Sequence, residues 1–120
     1  MSNKRQAAET RGRRAESLAA WLLRFKGYRI IAARLRTPLG EIDLLAKRGK
    51  LIVIVEVKAR ANVNEAIAAV SVRQQQRLAA AAGWLPSWKP ELAECDIRFD
   101  VIAMAPGRWP QHIQNAWISN

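Results

Sequence analysis

The chain turns on Gly40-Glu41-Ile42-Asp43-Leu44-Leu45-Ala46, the basic break Lys47-Arg48-Gly49-Lys50, and Leu51-Ile52-Val53-Ile54-Val55-Glu56-Val57-Lys58. Leu51 to Val55 is apolar and mostly β-branched, which predicts a strand buried on both faces. Such a strand should not tolerate charge. Yet Glu56 and Lys58 close it, two residues apart and therefore on the same face. Burying a carboxylate or an ammonium without a partner costs roughly several kcal/mol, so the pair needs a reason. The break reads as a hairpin turn, with Gly49 free to take a positive φ. Pairing Lys47 with Lys50 across a two-residue loop predicts Asp43 opposite Ile54. Glu56 is then the diagonal neighbour of Asp43 on one face, about 7–8 Å away at Cα. Two carboxylates so placed can converge on one divalent ion. A register slip of one residue would turn Asp43 to the other face.

Working outward, the 3.6-residue period predicts a helix from Thr10 to Lys26, ended by Gly27. Leu18, Trp21, Leu22 and Phe25 form its main apolar face. A second stripe, Gly12, Glu16, Ala20 and Leu23, is small enough to lie close to a sheet. Spacing alone leaves Glu16 with two roles: aimed at that sheet, or exposed and paired with Arg13. Residues 1–9 are basic, polar and aperiodic, which predicts a disordered N-terminus before a single domain over 10–120. Arg29 to Arg36 is a first strand, with Ile31 and Ala33 on one face and Ile30 on the other.

Beyond Lys58, Asn62 or Asn64 can cap a short helix within a crossover. Ser71-Val72-Arg73-Gln74 is a capping box that opens a helix running to Trp84, closed by Pro86. Its N-terminus is a candidate phosphate contact. A strand from Ile97 to Met104 follows, parallel to the Glu56 strand because a crossover joins them. Ile97, Phe99, Val101 and Ala103 line one of its faces. Asp100 reads as structural, a partner for Arg98. Gln111 to Ile118 reads as an edge strand, His112 as an ordinary surface residue, and Trp84, Trp88, Trp109 and Trp117 as packing. The layout is an α/β sandwich with a mixed central sheet flanked by helices, in the order α-β-β-β-α-β plus the edge strand.

Asp43, twelve intervening residues and Glu56-Val57-Lys58 resemble the catalytic core of the restriction-endonuclease-like PD-(D/E)xK superfamily. The fuller pattern adds Gly12-x3-Glu16, Gly27-Tyr28, Gly40-Glu41-Ile42-Asp43-Leu44, Val55-Glu56-Val57-Lys58-x-Arg60, Arg98-Phe99-Asp100-Val101 and Asn115-Ala116-Trp117. It resembles the bacterial YraN family, uncharacterised protein family 0102, and is similar in pattern to the archaeal Holliday-junction resolvases. The match spans residues 10–118. Ile42 stands where the superfamily name has Pro, Arg34 where the family often has Asn, and Gln74 where it often has Lys.

The resemblance implies a restriction-endonuclease-like fold and a metal-dependent nuclease that hydrolyses phosphodiester bonds in DNA, branched DNA included. It places Glu16 with Asp43 and Glu56 around Mg²⁺ or Mn²⁺, hard ions that take oxygen ligands. Lys58 then orients or helps deprotonate the attacking water. Arg60, at the strand exit, and Arg36 are the candidate phosphate contacts. A homodimer like the resolvases is implied too. The reading of different class is a nucleic-acid-binding module on the same fold without cleavage.

Composition agrees with a polyanionic partner. The formal net charge of the 120 residues is +10. Residues 1–60 hold 15 Lys and Arg against 5 Asp and Glu, whereas residues 61–120 hold 5 of each. The excess lies wholly in the half that carries the acids, a distribution suited to nucleic acid. A single cysteine, Cys95, excludes an internal disulfide and suits a reducing cytoplasm. Cys95 and His112 are too few for a zinc site. No signal peptide, and no apolar run approaching a membrane span, is visible, so a membrane partner is not expected.

Overall fold

The structure is a computed structural model that describes residues 2–117, with side chains from residue 12 onward. Helix α1 (Ser2–Phe25) leads into strands β1 (Arg29–Thr37), β2 (Gly40–Arg48) and β3 (Leu51–Ala59). Helices α2 (Val63–Ala68) and α3 (Val72–Trp88), then a 3₁₀ turn (Pro90–Glu94), carry the chain across to β4 (Asp96–Met104) and β5 (Gln111–Ile113). The five strands form one sheet in chain order. All pairings are antiparallel except β3 with β4, which is parallel. The protein is thus α/β with a mixed sheet.

β3 is the centre of the molecule. Ile52, Val53, Ile54 and Val55 are all 0% exposed. Alternate residues feed two cores. Ile52 and Ile54 pack with Leu78, Ala81, Ala82 and Leu85 of α3, while Val53 and Val55 pack with Ala19, Ala20 and Leu23 of α1. Asn62 caps α2 by accepting from the Glu65 N–H, and Ser71 caps α3 by accepting from the Gln74 N–H. Pro86 lies inside α3, which ends two residues on at Trp88.

The hairpin register differs from the expected one. Arg48 pairs with Leu51, so the loop is Gly49-Lys50, with Gly49 at φ 61°. A glycine of positive φ at the first loop position is the type II′ pattern, whose twist suits the strands. The pairing is shifted by two residues, and Leu45, not Asp43, faces Ile54. A shift of two preserves every face, and it brings Asp43 alongside Glu56.

Further differences concern the ends and surfaces. α1 reaches back past Thr10 to Ser2, through the residues read as a disordered N-terminus. Its sheet-facing side is Ala19, Ala20 and Leu23; Leu18, Trp21 and Phe25 are 54%, 67% and 92% exposed. Small side chains let the helix axis approach the sheet, and that contact wins over the larger apolar stripe. In β1 the register shifts between Ile30 and Ala32, which leaves Ala33 exposed. β5 ends at Ile113, and the terminal part of the longer strand expected there, Ile118, lies outside the described residues. Trp84 stacks on Trp88, and Trp117 stacks on Phe99, as packing residues should. Trp109 is 90% exposed and packs nothing. Among the described residues no helix is long and apolar enough to cross a membrane.

Candidate functional site

The β2–β3 ladder stops at Leu44 opposite Val55. One step further, side chains take over the backbone's hydrogen bonds. The Val57 N–H donates to Asp43 Oδ2 at 2.9 Å, and the Asp43 N–H donates to Glu56 Oε2 at 3.3 Å. The two carboxylates stand in the opening where the strands part. On the Glu56 face of the sheet α3 reaches in: Gln74 Nε2 donates to Glu56 Oε1 at 2.7 Å. Gln74 is the N3 residue of the capping box, so its amide serves Glu56 and only the Ser71 half of the box forms.

Glu16 approaches from α1. It is held by Arg34, whose Nε donates to Glu16 Oε2 at 2.7 Å. The partner expected on the helix, Arg13, does not hold it; the sheet does. Arg34 sits at φ 52°, a left-handed conformation that Asn adopts more readily than Arg. Arg34 and Gln74 were the departures from the family pattern, and both grip acids of this cluster. Sequence reasoning missed them. The available signal was that both departures exchange a polar residue for another able to bond a carboxylate.

The electrostatics of the pair are unusual. Glu56 is 1% exposed. Burial pushes its carboxyl up to about 8, and the neighbouring Asp43 charge adds to the push. Asp43 is raised as well, first by burial and then by Glu16, against the pull of the Val57 N–H and of Lys58. Among the described residues, no Lys or Arg makes a salt bridge to either acid; the Arg or Lys ion pairs are Arg34–Glu16 and Arg98–Asp100. Among the described residues, the hydrogen bonds to the side chains of Asp43 and Glu56 come from neutral amides. Lys58 is half-buried on the Glu56 face of β3 and acts on both acids through space. A structural ion-pair network of Asp43, Glu56 and Lys58 is therefore not what the geometry contains. Among the described residues no three Asp, Glu, His or Cys side chains are yet gathered closely enough to enclose an ion. Glu16 is paired with Arg34.

The other two candidates lie apart. Arg60 is exposed, with Nη1 donating to the Ala59 carbonyl at 2.8 Å. Arg36 is exposed on β1 opposite Glu41. Neither forms a hydrogen bond or ion pair with the carboxylates.

A second buried acid makes the contrast. Asp100 is 0% exposed. Arg98 grips it with Nε and Nη2, both at 2.8 Å, His112 Nε2 lies 2.6 Å from it, and the Asn115 N–H donates at 2.9 Å. Burial alone would raise this carboxyl; the bonds from His112, Arg98 and Asn115 outweigh it and hold it low. Lys26 Nζ stands 3.0 Å from His112 Nδ1. An ammonium only donates, so Nδ1 accepts and the ring proton sits on Nε2, toward Asp100. His112 is thus not a surface residue: its side chain is 0% exposed. Asp100 is the structural acid expected, and its Arg98 partner is as read.

A family model described as "Uncharacterised protein family UPF0102" matches residues 15–104. The chain is 52% identical to a "UPF0102 protein" of Chelativorans sp. (strain BNC1), across 94% of this chain and 91% of that one. It is 51% identical to the "UPF0102 protein" of Parvibaculum lavamentivorans, across 92% of this chain and 84% of that one. The chain belongs to the UPF0102 family. This is the YraN family whose motifs the sequence carries. The match from residue 15 takes in Glu16, Arg34, Asp43, Glu56, Lys58 and Gln74, every residue of the UPF0102 cluster described above.

Proposed function

We propose that this UPF0102 protein is a metal-dependent nuclease of the restriction-endonuclease-like kind, hydrolysing phosphodiester bonds in DNA. One observation carries the reading: among the described residues buried Glu56 and half-buried Asp43 stand side by side, both raised, with no salt bridge to either, while Asp100 in the same sheet has its arginine. Paired carboxylates left without compensation are a cost to the fold. A cation supplied from solution removes that cost, which is why such a pair marks a functional site.

The donor set fits a hard divalent ion. Asp43 and Glu56 would supply carboxylate oxygens, and Glu16 would be a third ligand once released from Arg34. When bound, Mg²⁺ or Mn²⁺ lowers the pKa of a water and neutralises the phosphodiester. The chain does the rest. The Val57 N–H and Gln74 amide fix the orientation of the two carboxylates. Lys58, on the Glu56 face, orients the attacking water and stabilises charge that develops on the phosphate oxygens. Arg34, freed from Glu16, is placed to meet a phosphate as a planar fork.

The test has two arms. Calorimetry with Mn²⁺ should show binding to wild type and loss of it in Asp43→Asn; equal heats in both would remove the metal site. Cleavage of branched and linear DNA in Mn²⁺ should disappear in Lys58→Ala, with gel-shift affinity in EDTA nearly unchanged. The Arg34–Glu16 ion pair favours a second reading, a binding module that does not cut. Wild type that binds the whole panel and cleaves none of it would establish that reading.

A further inference from the structure

Beside the acids, α1 and β1 enclose a groove of about 560 Å³. This size lies within the range of ligand pockets. Ala33 and Leu44 floor it, Trp21 forms one wall, and Arg13, Arg24 and Arg34 edge it. Glu16 and Arg34 also line it, so the groove shares these two residues with the candidate site.

Trp21 is the aromatic residue of this groove. It is 67% exposed, although the helix period marks it for a core. Arg24 lies over its ring, 5.3 Å from the centroid. With that contact in place the residue is still two-thirds exposed. The single acid in the groove, Glu16, is already neutralised by Arg34. Arg13 and Arg24 therefore leave the groove positive. An exposed aromatic wall between two arginines is complementary to a base and its flanking phosphates: stacking holds the base, and the guanidinium groups hold the backbone. A paired base inside a duplex cannot present its face to a ring.

We infer that this groove receives one unpaired base of a nucleic-acid strand, stacked on Trp21, with the adjoining phosphates on Arg13 and Arg24. The inference rests on the reading of the cluster as a nucleic-acid site, and it names the substrate feature that site selects: a strand that is single, frayed or branched next to the cut. The occupant favoured by the charge is nucleic acid. The rival is a second copy of this chain seated on the exposed side of α1.

The experiment uses the full chain in EDTA with two oligonucleotides, a fork carrying 2-aminopurine in its unpaired arm and the matched blunt duplex. Wild type should bind the fork more tightly and quench 2-aminopurine. Trp21→Ala should lose about tenfold in affinity for the fork, the scale of one base stacked on an aromatic ring, and leave the duplex unchanged. Trp21→Phe should keep most of both the affinity and the quenching. Equal losses on fork and duplex, or no loss on either, would overturn the inference while the nuclease reading stands. A dimer of wild type that Trp21→Ala dissolves in sedimentation would assign the face to the second copy and overturn it too. Cleavage of both oligonucleotides is followed in Mn²⁺: a wild type that quenches and selects the fork without cutting retains the groove and discards the nuclease. A wild type that binds neither oligonucleotide at low salt discards both.

Discussion

Glu56 pairs full burial with a shared charge, and that makes its proton a measurable part of folding. Its carboxyl is pushed up to about 8 in the folded protein, mainly by burial; an unfolded Glu titrates near ~4.3. Between those values the folded state holds a proton that the unfolded state has released. Stability therefore falls as pH rises through this window and levels off above it. The fall is at most about 1.4 kcal/mol for each pH unit. Urea unfolding of the metal-free protein at pH 5, 6, 7 and 8 should show the decline, and Glu56→Gln should flatten it, because a glutamine carries no charge at any pH. A profile that keeps its slope in Glu56→Gln would place the titration elsewhere. The position of Glu56 was legible in the sequence because a charge ending a β-branched run is conspicuous. Its grip by Gln74 was not, because eighteen residues and a crossover lie between them. Arg34 was hidden by its backbone: nothing local announces a left-handed arginine.

At the level of elements, a rigid polar knot ties the C-terminal strand to the rest. Asp100 on β4 joins Arg98, His112 on β5 and the Asn115 N–H; Arg98 also donates to the Tyr28 hydroxyl at 2.8 Å, just past α1. Asp100→Ala would leave the Arg98 guanidinium without its carboxylate. Breaking a buried pair by removing one partner costs about 3–5 kcal/mol. The expected result is a loss near the low end of that range in urea unfolding, since Arg98 retains some exposure, with His112→Ala losing less. Equal, small losses in both would mean that water replaces the carboxylate at little cost. The sequence disclosed half of this knot. Arg98 and Asp100 share a strand face by simple alternation, so their pairing follows from spacing. His112 meets them only because β5 folds back on β4, and no local pattern carries that. The hairpin shows a related limit. Lys47-Arg48-Gly49-Lys50 admits two loop positions, and the type II′ glycine selects the later one. The acids survived the error because the faces of a strand repeat every two residues. α1 is legible in part: Ala20 and Leu23 of its small stripe face the sheet as expected, but periodicity weighs size rather than fit and marks the larger stripe as the main face.

Across the whole molecule, the excess positive charge and the acids of the site lie in the same half of the sequence. Residues 1–60 carry all of the +10 excess, and the same residues supply Glu16, Asp43 and Glu56. A carboxylate cluster alone repels phosphate, so a nucleic acid reaches it only if surrounding cations outweigh it. Arg36 is exposed on β1, beside the strand of Asp43, and Arg60 is exposed just past the end of β3. Each phosphate they neutralise releases counterions and adds about 0.9 to the slope of log affinity against log salt on duplex DNA. Binding should therefore weaken steeply between about 50 and 200 mM KCl. Arg36→Ala and Arg60→Ala together should lower the slope by about 1.8 if each holds one phosphate. Fluorescence anisotropy on a labelled duplex in EDTA reads the slope directly. An unchanged slope in the double variant would move the phosphate track to other arginines of the same half. An affinity indifferent to salt would mean that the basic half is a solvated surface, and the polyanion would no longer explain why the acids and the excess charge share one half of the chain.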